Sequence, residues 1–469
     1  MKKLYKTKLT LAILTSILSA EAAFAGAFGV PTAGTAGWGR AFAGGSIYDN
    51  DPSSAFNNPA AMAFVDGPVS QMNVQFARVN MRFKGDATTA SGMSTQDIAI
   101  NDTLPFKKAN NGGQGGFSEV FPTYFLVLPI NEQWAVGFSQ VVPMGMRSTW
   151  DRYGVGRDFA VDTRVETIAL NGSVSYKFND SLALGGGVTV QRTRGTVTQN
   201  VDIYHAAYER LKDILPVPIM PSTGDALIRV KVNNTAPSWF AGIVWKPTER
   251  DTIGFNYHAT VKNKLEGKYN FHFGEGDESI TAIEIADQLF PGLKLYPGGA
   301  KIKSRLNTPA TASIDWVHQW NERLTTGTSV LWTQWSEFKS LPLIDKASGS
   351  MIVEIPYKYR DTLMFSVGAD YKLTDEWIVR GGLAYDQTPT RSTTRDLRIP
   401  DNDRTFVSLG AGYAPKSLPN FTFDVAYSRQ FVKRARLKST NVELLGGAKM
   451  DGKVKASGDV FSLAATYRF

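Results

Sequence analysis

Cysteine is missing from all 469 residues. The chain therefore has no disulfide, no thiolate metal site and no thiol nucleophile. Long apolar runs are missing beyond the first 25 residues, and the mean hydropathy is -0.18. A helical membrane span needs about 20 consecutive apolar residues, so a helical membrane protein is excluded. Histidine is scarce, with His205, His258, His272 and His318 the only four. None is followed two residues later by serine, and no HExxH, GxSxG or P-loop pattern occurs. The chain is not expected to be an enzyme. Asp401 and Asp403 form an isolated acidic pair without the ligand set of a calcium loop, and they read as loop caps. Neither a metal nor a cofactor is expected.

The first 25 residues have their own character. Lys2, Lys3, Lys6 and Lys8 precede a short apolar core from Leu9 to Ala20, and Ala23-Phe24-Ala25 supplies a small-x-small cleavage site. This is a secretory signal, too short for a membrane anchor. The formal charge of +8 drops to about +5 without the four lysines and Glu21 of this leader. An exported chain with no compact basic patch is a poor candidate for nucleic acid. Lys433, Arg434, Arg436 and Lys438 cluster near one strand end. They read as a solvated loop margin, with anionic headgroups or lipopolysaccharide as the functional alternative.

Glycine, at 43 residues, and aromatics, at 12%, are abundant. Residues 26–67 are rich in glycine, alanine, serine and proline and show neither helical period nor strand alternation. From Val69 onward the pattern changes to period two. In the last segment Phe461, Leu463, Ala465, Tyr467 and Phe469 share one face, while Ser462, Ala464, Thr466 and Arg468 share the other. Fourteen such segments are predicted, near 69–84, 119–130, 133–143, 164–178, 181–198, 226–246, 251–273, 301–320, 323–341, 352–373, 376–392, 403–415, 420–437 and 455–469. Every second link is short, as at Asn131-Glu132, Asn179-Asp180, Asn321-Glu322 and Thr374-Asp375, and the others are mostly long. Bacterial outer-membrane barrels have this even count and this alternation of short periplasmic turns with long outer loops. The expected fold is an all-β transmembrane barrel over residues 68–469, closed around residues 26–67 as an internal plug. Aromatics near strand ends (Tyr176 and Phe178, Trp239 and Trp245, Trp316 and Trp320, Trp332 and Trp335) fit interfacial girdles.

Two long loops carry helical period, near 201–215 and 279–290. Tyr204, Tyr208, Leu211 and Leu215 form one apolar face before a proline-rich stop, and Ile283, Ala286, Leu289 and Phe290 form a second. The two faces either pack on each other or make a greasy landing groove.

Gly39-Arg40-Ala41-Phe42-Ala43-Gly44 followed by Asn58-Pro59-Ala60 resembles the N-terminal hatch of the FadL/TodX-type outer-membrane transporters. Trp332-Thr333-Gln334-Trp335-Ser336-Glu337-Phe338 and Ile399-Pro400-Asp401-Asn402-Asp403-Arg404 continue the likeness. The resemblance implies a fourteen-stranded plugged barrel for long-chain fatty acids or aromatic hydrocarbons. It also implies a passive route from the loop groove through a lumen pocket to a lateral opening at a kinked third strand. That kink falls at Val142-Pro143-Met144-Gly145, where proline cannot donate a ladder hydrogen bond. An ordinary bulge or strand end is the alternative there. Asn58, Pro59 and Ala60 would be the moving hatch. A fatty-acid carrier would need a cation, for which Arg192, Arg194 and Lys339 are candidates; a hydrocarbon carrier would not. The partners expected are a hydrophobic small molecule and outer-membrane lipids including lipopolysaccharide. A barrel that closes its own edges is expected to be monomeric. A surface structural or adhesive barrel and a general porin are the alternatives.

Overall fold

The computed structural model describes residues 29–88, 94–95, 112–152, 154–202, 225–272, 299–395, 397–441 and 448–469. The predicted signal peptide and both helical loop faces lie outside these residues, including Tyr204, Tyr208, Leu211, Leu215, Ile283, Leu289 and Phe290.

The strands form one closed antiparallel barrel of fourteen. They are β1 (Val69–Thr88), β2 (Phe117–Pro129), β3 (Trp134–Val141 continued by Gly145–Thr149), β4 (Asp162–Asn179) and β5 (Leu182–Asp202). Next come β6 (Asp225–Trp245), β7 (Asp251–His258 and Lys264–His272), β8 (Ala300–Arg305 and Thr311–Gln319) and β9 (Leu324–Thr333 and Ser340–Asp345). The circuit ends with β10 (Met351–Pro356 and Thr362–Lys372), β11 (Trp377–Asp386), β12 (Arg404–Tyr413), β13 (Phe421–Val432 and Ala435–Asn441) and β14 (Ala448–Arg468). Closure is made by β1 and β14, in register from Val69 opposite Arg468 to Thr88 opposite Lys449. No ladder edge is left at the seam.

The period-two reading resolves into two environments. Phe461 and Leu463 are exposed on the outer wall, whereas Ser462 and Thr466 are buried inside. Phe423, Val425 and Tyr427 repeat the pattern, as do Val188 and Val190. This outer apolar belt faces lipid, where a charge at the bilayer midplane would cost about 2–4 kcal/mol. Trp134, Phe178, Trp245, Trp316, Trp320 and Trp377 are exposed at the end that carries the short turns.

Four differences from the sequence reading have local causes. Strand β11 stops at Asp386 rather than near 392, because Gln387 to Arg391 leave the wall and turn into the loop. The β13–β14 hairpin runs further out than expected, to Asn441 and from Ala448. The β9–β10 link is a tight turn: Asp345 accepts from the amides of Ala347 and Ser348, at 2.9 and 2.7 Å. Trp335 is buried rather than part of an interfacial girdle, because a 3-10 turn at Trp335–Glu337 swings it inward.

Inside the wall lie residues 29–68, with two short helices, α1 (Thr35–Gly39) and α2 (Ser54–Asn57), and a 3-10 turn at Pro59–Phe64. The outer half of the lumen holds an apolar cluster instead. It includes Met146, Ile228, Ile302, Phe338, Tyr357 and Ile399.

Candidate functional site

Two of the polar points that pin the plug to the wall are built on Asn58 and Arg40, beside bonds such as those of Thr35 to Asn73 and Ser462. Asn58 is fully buried. Its side-chain amide donates to the carbonyls of Ile243 on β6 and Phe255 on β7, both at 3.3 Å, and its own oxygen accepts from the amide of Ala60. Pro59 starts the 3-10 turn, where its missing N–H has no role to fill. Arg40 is the second point. It pairs with Asp370 on β10 at 2.9 Å, reaches Asp51 at 3.6 Å, and lies 3.6 Å from the centre of the Tyr48 ring. Arg380 joins the network, binding Asp370 at 3.1 Å and Asp424 at 2.7 Å. Burial opposes the Arg40 charge, but Asp370, Tyr48 and Asp51 outweigh it and hold the guanidinium protonated. Burial also pushes the Tyr48 hydroxyl up, so it stays neutral.

Close contact there depends on glycine in the wall. A Cβ on Gly242 would strike Asn58, and one on Gly185 would strike the Pro59–Ala60 backbone. Gly382 and Gly368 stand in the same relation to the carbonyl of Arg40. Gly185, Gly242, Gly368 and Gly382 thus mark places where the plug touches the barrel.

Strand β3 breaks where proline demands it. Below the break, Tyr124 to Pro129 of β2 pair with Gln140 to Ala135 of β3. Above it, Gly145–Thr149 keeps its register with β4, but its ladder with β2 is lost. Thr167 patches the β4 side: its hydroxyl donates to the Met144 carbonyl at 2.6 Å and accepts from the Met144 amide at 2.9 Å. On the β2 side an ion pair between Arg147 and Glu119, 2.9 Å, spans the interval. From inside, Gly29 forms a bridge with Met144, and the Val30 amide donates to the Pro143 carbonyl at 3.0 Å. The Val30 side chain packs in a cluster with Phe121 and Val142.

A cavity of about 240 Å³ adjoins this point. Val30, Pro143 and Met144 are on its wall, together with Phe56, Leu331 and Trp335. The interruptions of β7 and β8 contribute Ala259, Val261, Thr308 and Pro309. Its polar groups include Gln191, Asn256, His258, Asp315 and Asp386, and among the described residues its lining contains no lysine or arginine. His258 stacks on Phe240, with ring centres 5.1 Å apart, and Asp315 accepts from Ser313 and Ser329 at 2.6 and 2.5 Å.

The structure sorts the expected site residues. It brings Pro143 to the cavity and puts Asn58, Pro59 and Ala60 in the plug where it meets β6 and β7; Gly145 restarts the ladder above the kink. Arg192 and Arg194 do not enter the lumen. They are exposed on the outer face of β5, in phase with Val188 and Val190, because the strand alternates strictly from there. Lys339 is also exposed and away from the cavity. Asp401 is tied to Arg404 and accepts from Thr388 at 2.6 Å, while Asp403 accepts from the Thr388 amide at 3.0 Å. Both carboxylates serve the loop that follows β11. Lys433 pairs with Asp403 at 3.3 Å. Sequence reasoning missed Arg40 as an ionic anchor and the arm at Gly29–Val30. Arg40 is the lone cation of residues 26–67, and that was the available signal for the first.

A closed barrel with an outer apolar belt, an inner plug and a lumen cavity defines an outer-membrane transport channel. The chain belongs to the family of outer membrane transport proteins described as OMPP1/FadL/TodX, whose model matches residues 16–469. It is similar to a solved FadL homologue of Pseudomonas aeruginosa, with 53% identity over 95% of this chain and all of that one, and a TM-score of 0.88. It is 28% identical to outer membrane protein P1 of Haemophilus influenzae, over 95% of this chain and 94% of the relative. It is 24% identical to the long-chain fatty acid transport protein of Salmonella typhi, over 87% and 88% of the two chains. The protein is an outer-membrane transporter of hydrophobic compounds.

Proposed function

We propose that the chain carries long-chain fatty acids or related hydrocarbons passively into the outer membrane, leaving the barrel sideways between β2 and β3. The observation that carries this reading is the threefold role of Pro143 and Met144. They interrupt the wall, hold the arm at Gly29–Val30, and line the cavity. Displacing the arm joins the cavity to the interval between β2 and β3 without disturbing the closed ladder at β1 and β14. Apolar substrate would collect in the loop groove of Tyr204, Tyr208, Leu211, Leu215, Ile283, Leu289 and Phe290. It would then cross the apolar outer lumen to the cavity. In this scheme Asn58-Pro59-Ala60 is the fixed base and residues 29–33 are the moving part. A cavity without a cation receives acyl or hydrocarbon chain rather than an ionised headgroup. The driving force is the concentration gradient, and each barrel works as a monomer.

The test exploits the absence of cysteine. Glu119→Cys with Arg147→Cys is linked by a short bis-maleimide in cells, and uptake of labelled oleate and of labelled toluene is followed. Linked barrels should lose most uptake, and unlinked ones should keep it. Undiminished uptake through linked barrels would reject the lateral exit. A large steady planar-bilayer current would favour a general porin, and normal uptake in a deletion strain would favour a surface structural or adhesive role.

A further inference from the structure

Arg192 and Arg194 lead to a surface that the transport route does not use. On the outer face of β6, β7 and β8, Lys231, Lys268 and Lys301 stand directly opposite one another, Lys268 paired in register with both. All three are exposed. Like charges facing each other across a ladder destabilise it, and this row holds three. Along the same strands Lys264 faces Arg305, again with both exposed. On the other side, Arg194 is in register with Asn233, which faces Glu266. That glutamate lies among the cations but is already engaged by Lys346. No carboxylate pairs with Lys231, Lys268 or Lys301 among the described residues.

The height of this surface is fixed by the strands that carry it. On β5 the exposed Val188 and Val190 give way to Arg192 and Arg194, and on β6 Trp239 and Ile243 lie toward the short-turn end from Lys231. The cations therefore begin where the lipid-facing belt ends, on the side away from the short turns. The wall around the β3 kink carries its charges differently. Arg147 is matched by Glu119 and Asp162, and Arg164 by Glu166. A second row of exposed cations, Lys84, Lys453 and Arg436 across β1, β14 and β13, has the exposed carboxylates of Asp86 and Asp451, in register with each other, beside it, whereas Glu266 of the β5 to β8 surface is held by Lys346.

We propose that the outer face of β5 to β8 is a binding site for the diphosphorylated glucosamine headgroup of lipid A in the outer leaflet. Its acyl chains would lie on the belt formed by Val188, Val190, Trp239 and Phe255. Its phosphates would sit against the Lys231–Lys268–Lys301 row, relieving the repulsion within it. Two phosphates with fixed separation match a surface several strands wide, which a single glycerophospholipid phosphate would span only in part. The site places lipopolysaccharide beside the barrel on a wall remote from the proposed exit.

The experiment uses the full chain in neutral detergent, titrated with hexa-acyl diphosphoryl lipid A and followed by native mass spectrometry. The wild type should retain tightly held lipid A through the Lys231–Lys268–Lys301 row. A Lys231→Gln, Lys268→Gln, Lys301→Gln variant should bind it about a hundredfold more weakly, as expected for three lysines at an anionic surface. Monophosphoryl lipid A should bind the wild type more weakly than the diphosphoryl form. A control with Arg250→Gln, Lys372→Gln and Lys416→Gln, equal in lost charge but at the short-turn end, should bind like wild type. Heat-dependent gel migration reports that each barrel is folded, and single Lys268→Gln replaces any triple variant that is not. Equal affinity of the folded variant and wild type would overturn the proposal. So would phosphatidylglycerol binding as tightly as lipid A, or equal loss in the control.

Discussion

The amide of Val30 donates to the carbonyl of Pro143 across 3.0 Å, so the plug supplies the ladder partner that β3 lacks at its kink. The bond joins the first described residues of the plug to the one interrupted strand beside the seam-side pair β1 and β2. One exchangeable hydrogen bond is worth about 0.5–1.5 kcal/mol net, weak enough to open under the influence of a bound ligand.

Val30→Pro should release this arm, since proline removes the donor without changing any residue of the wall. The open population should rise by up to about tenfold for the loss of that bond. Oleate uptake by cells should become less dependent on substrate concentration, and a spin label at residue 31 should report a more mobile arm. An arm with unchanged mobility and uptake would refute its role as the moving part.

The base of the plug should behave in the opposite way. Asn58→Ala removes both donors to the Ile243 and Phe255 carbonyls and leaves the amide of Ala60 without its partner. Each stranded buried group costs about 1–3 kcal/mol. Asn58→Asp should be worse than alanine, because a buried carboxylate would then face two carbonyl oxygens. Both variants should assemble with normal heat-dependent migration and show raised single-channel conductance, aspartate the higher. Silent bilayers from both would mean that the plug is held without Asn58.

Much of this was legible in the sequence because two-residue alternation and turn chemistry are local. Phe461 against Ser462, or Asn179-Asp180 between two strands, announces itself within a few residues. The orientation of Arg192 and Arg194 was not legible. Alternation fixes which residues share a face, but near the barrel rim both faces carry polar groups, so nothing local labels the inside. The breaks in β7 and β8 differ: Ala259 to Asn263 holds neither proline nor glycine and carries no local marker, whereas Asn307 and Pro309 were an available signal within Leu306 to Ala310. Partners of the plug were out of reach altogether. Gly242 faces Asn58 from 184 positions along the chain, and no spacing rule connects them.

That pair gives a steric test with an internal control. In Gly242→Ala the new methyl meets the Asn58 side chain, and in Gly185→Ala it meets the plug backbone at Pro59 and Ala60. Gly172, on the outer face of β4, has nothing within 4 Å of the same position. Overpacking of this kind costs about 1–3 kcal/mol. The two inner variants should loosen the plug, read as faster periplasmic proteolysis of residues 29–68, while Gly172→Ala should match wild type. Equal proteolysis in all three would show that the wall glycines do not set the fit.

The ionic anchor makes the sharpest prediction about how the plug is held. Arg40 is almost completely buried and shares Asp370 with Arg380. Arg40→Met keeps much of the side-chain volume but removes the charge that faces Asp51 and Asp370. Breaking a buried pair from one side costs about 3–5 kcal/mol, because the surviving charge is left in a dry site. Asp370→Asn leaves two arginines facing Asp424 and Asp51, and it should cost a similar amount. The double variant removes one charge of each sign, so its loss should fall well short of the sum of the two single losses. Thermal unfolding of the barrel and proteolysis of the plug measure the two halves of this cycle. If the coupling appears in plug proteolysis and not in barrel unfolding, the network holds the plug to a wall that stands without it. Additive losses would mean that Arg40 and Asp370 act separately and that the Asn58 turn and the glycine contacts retain the plug.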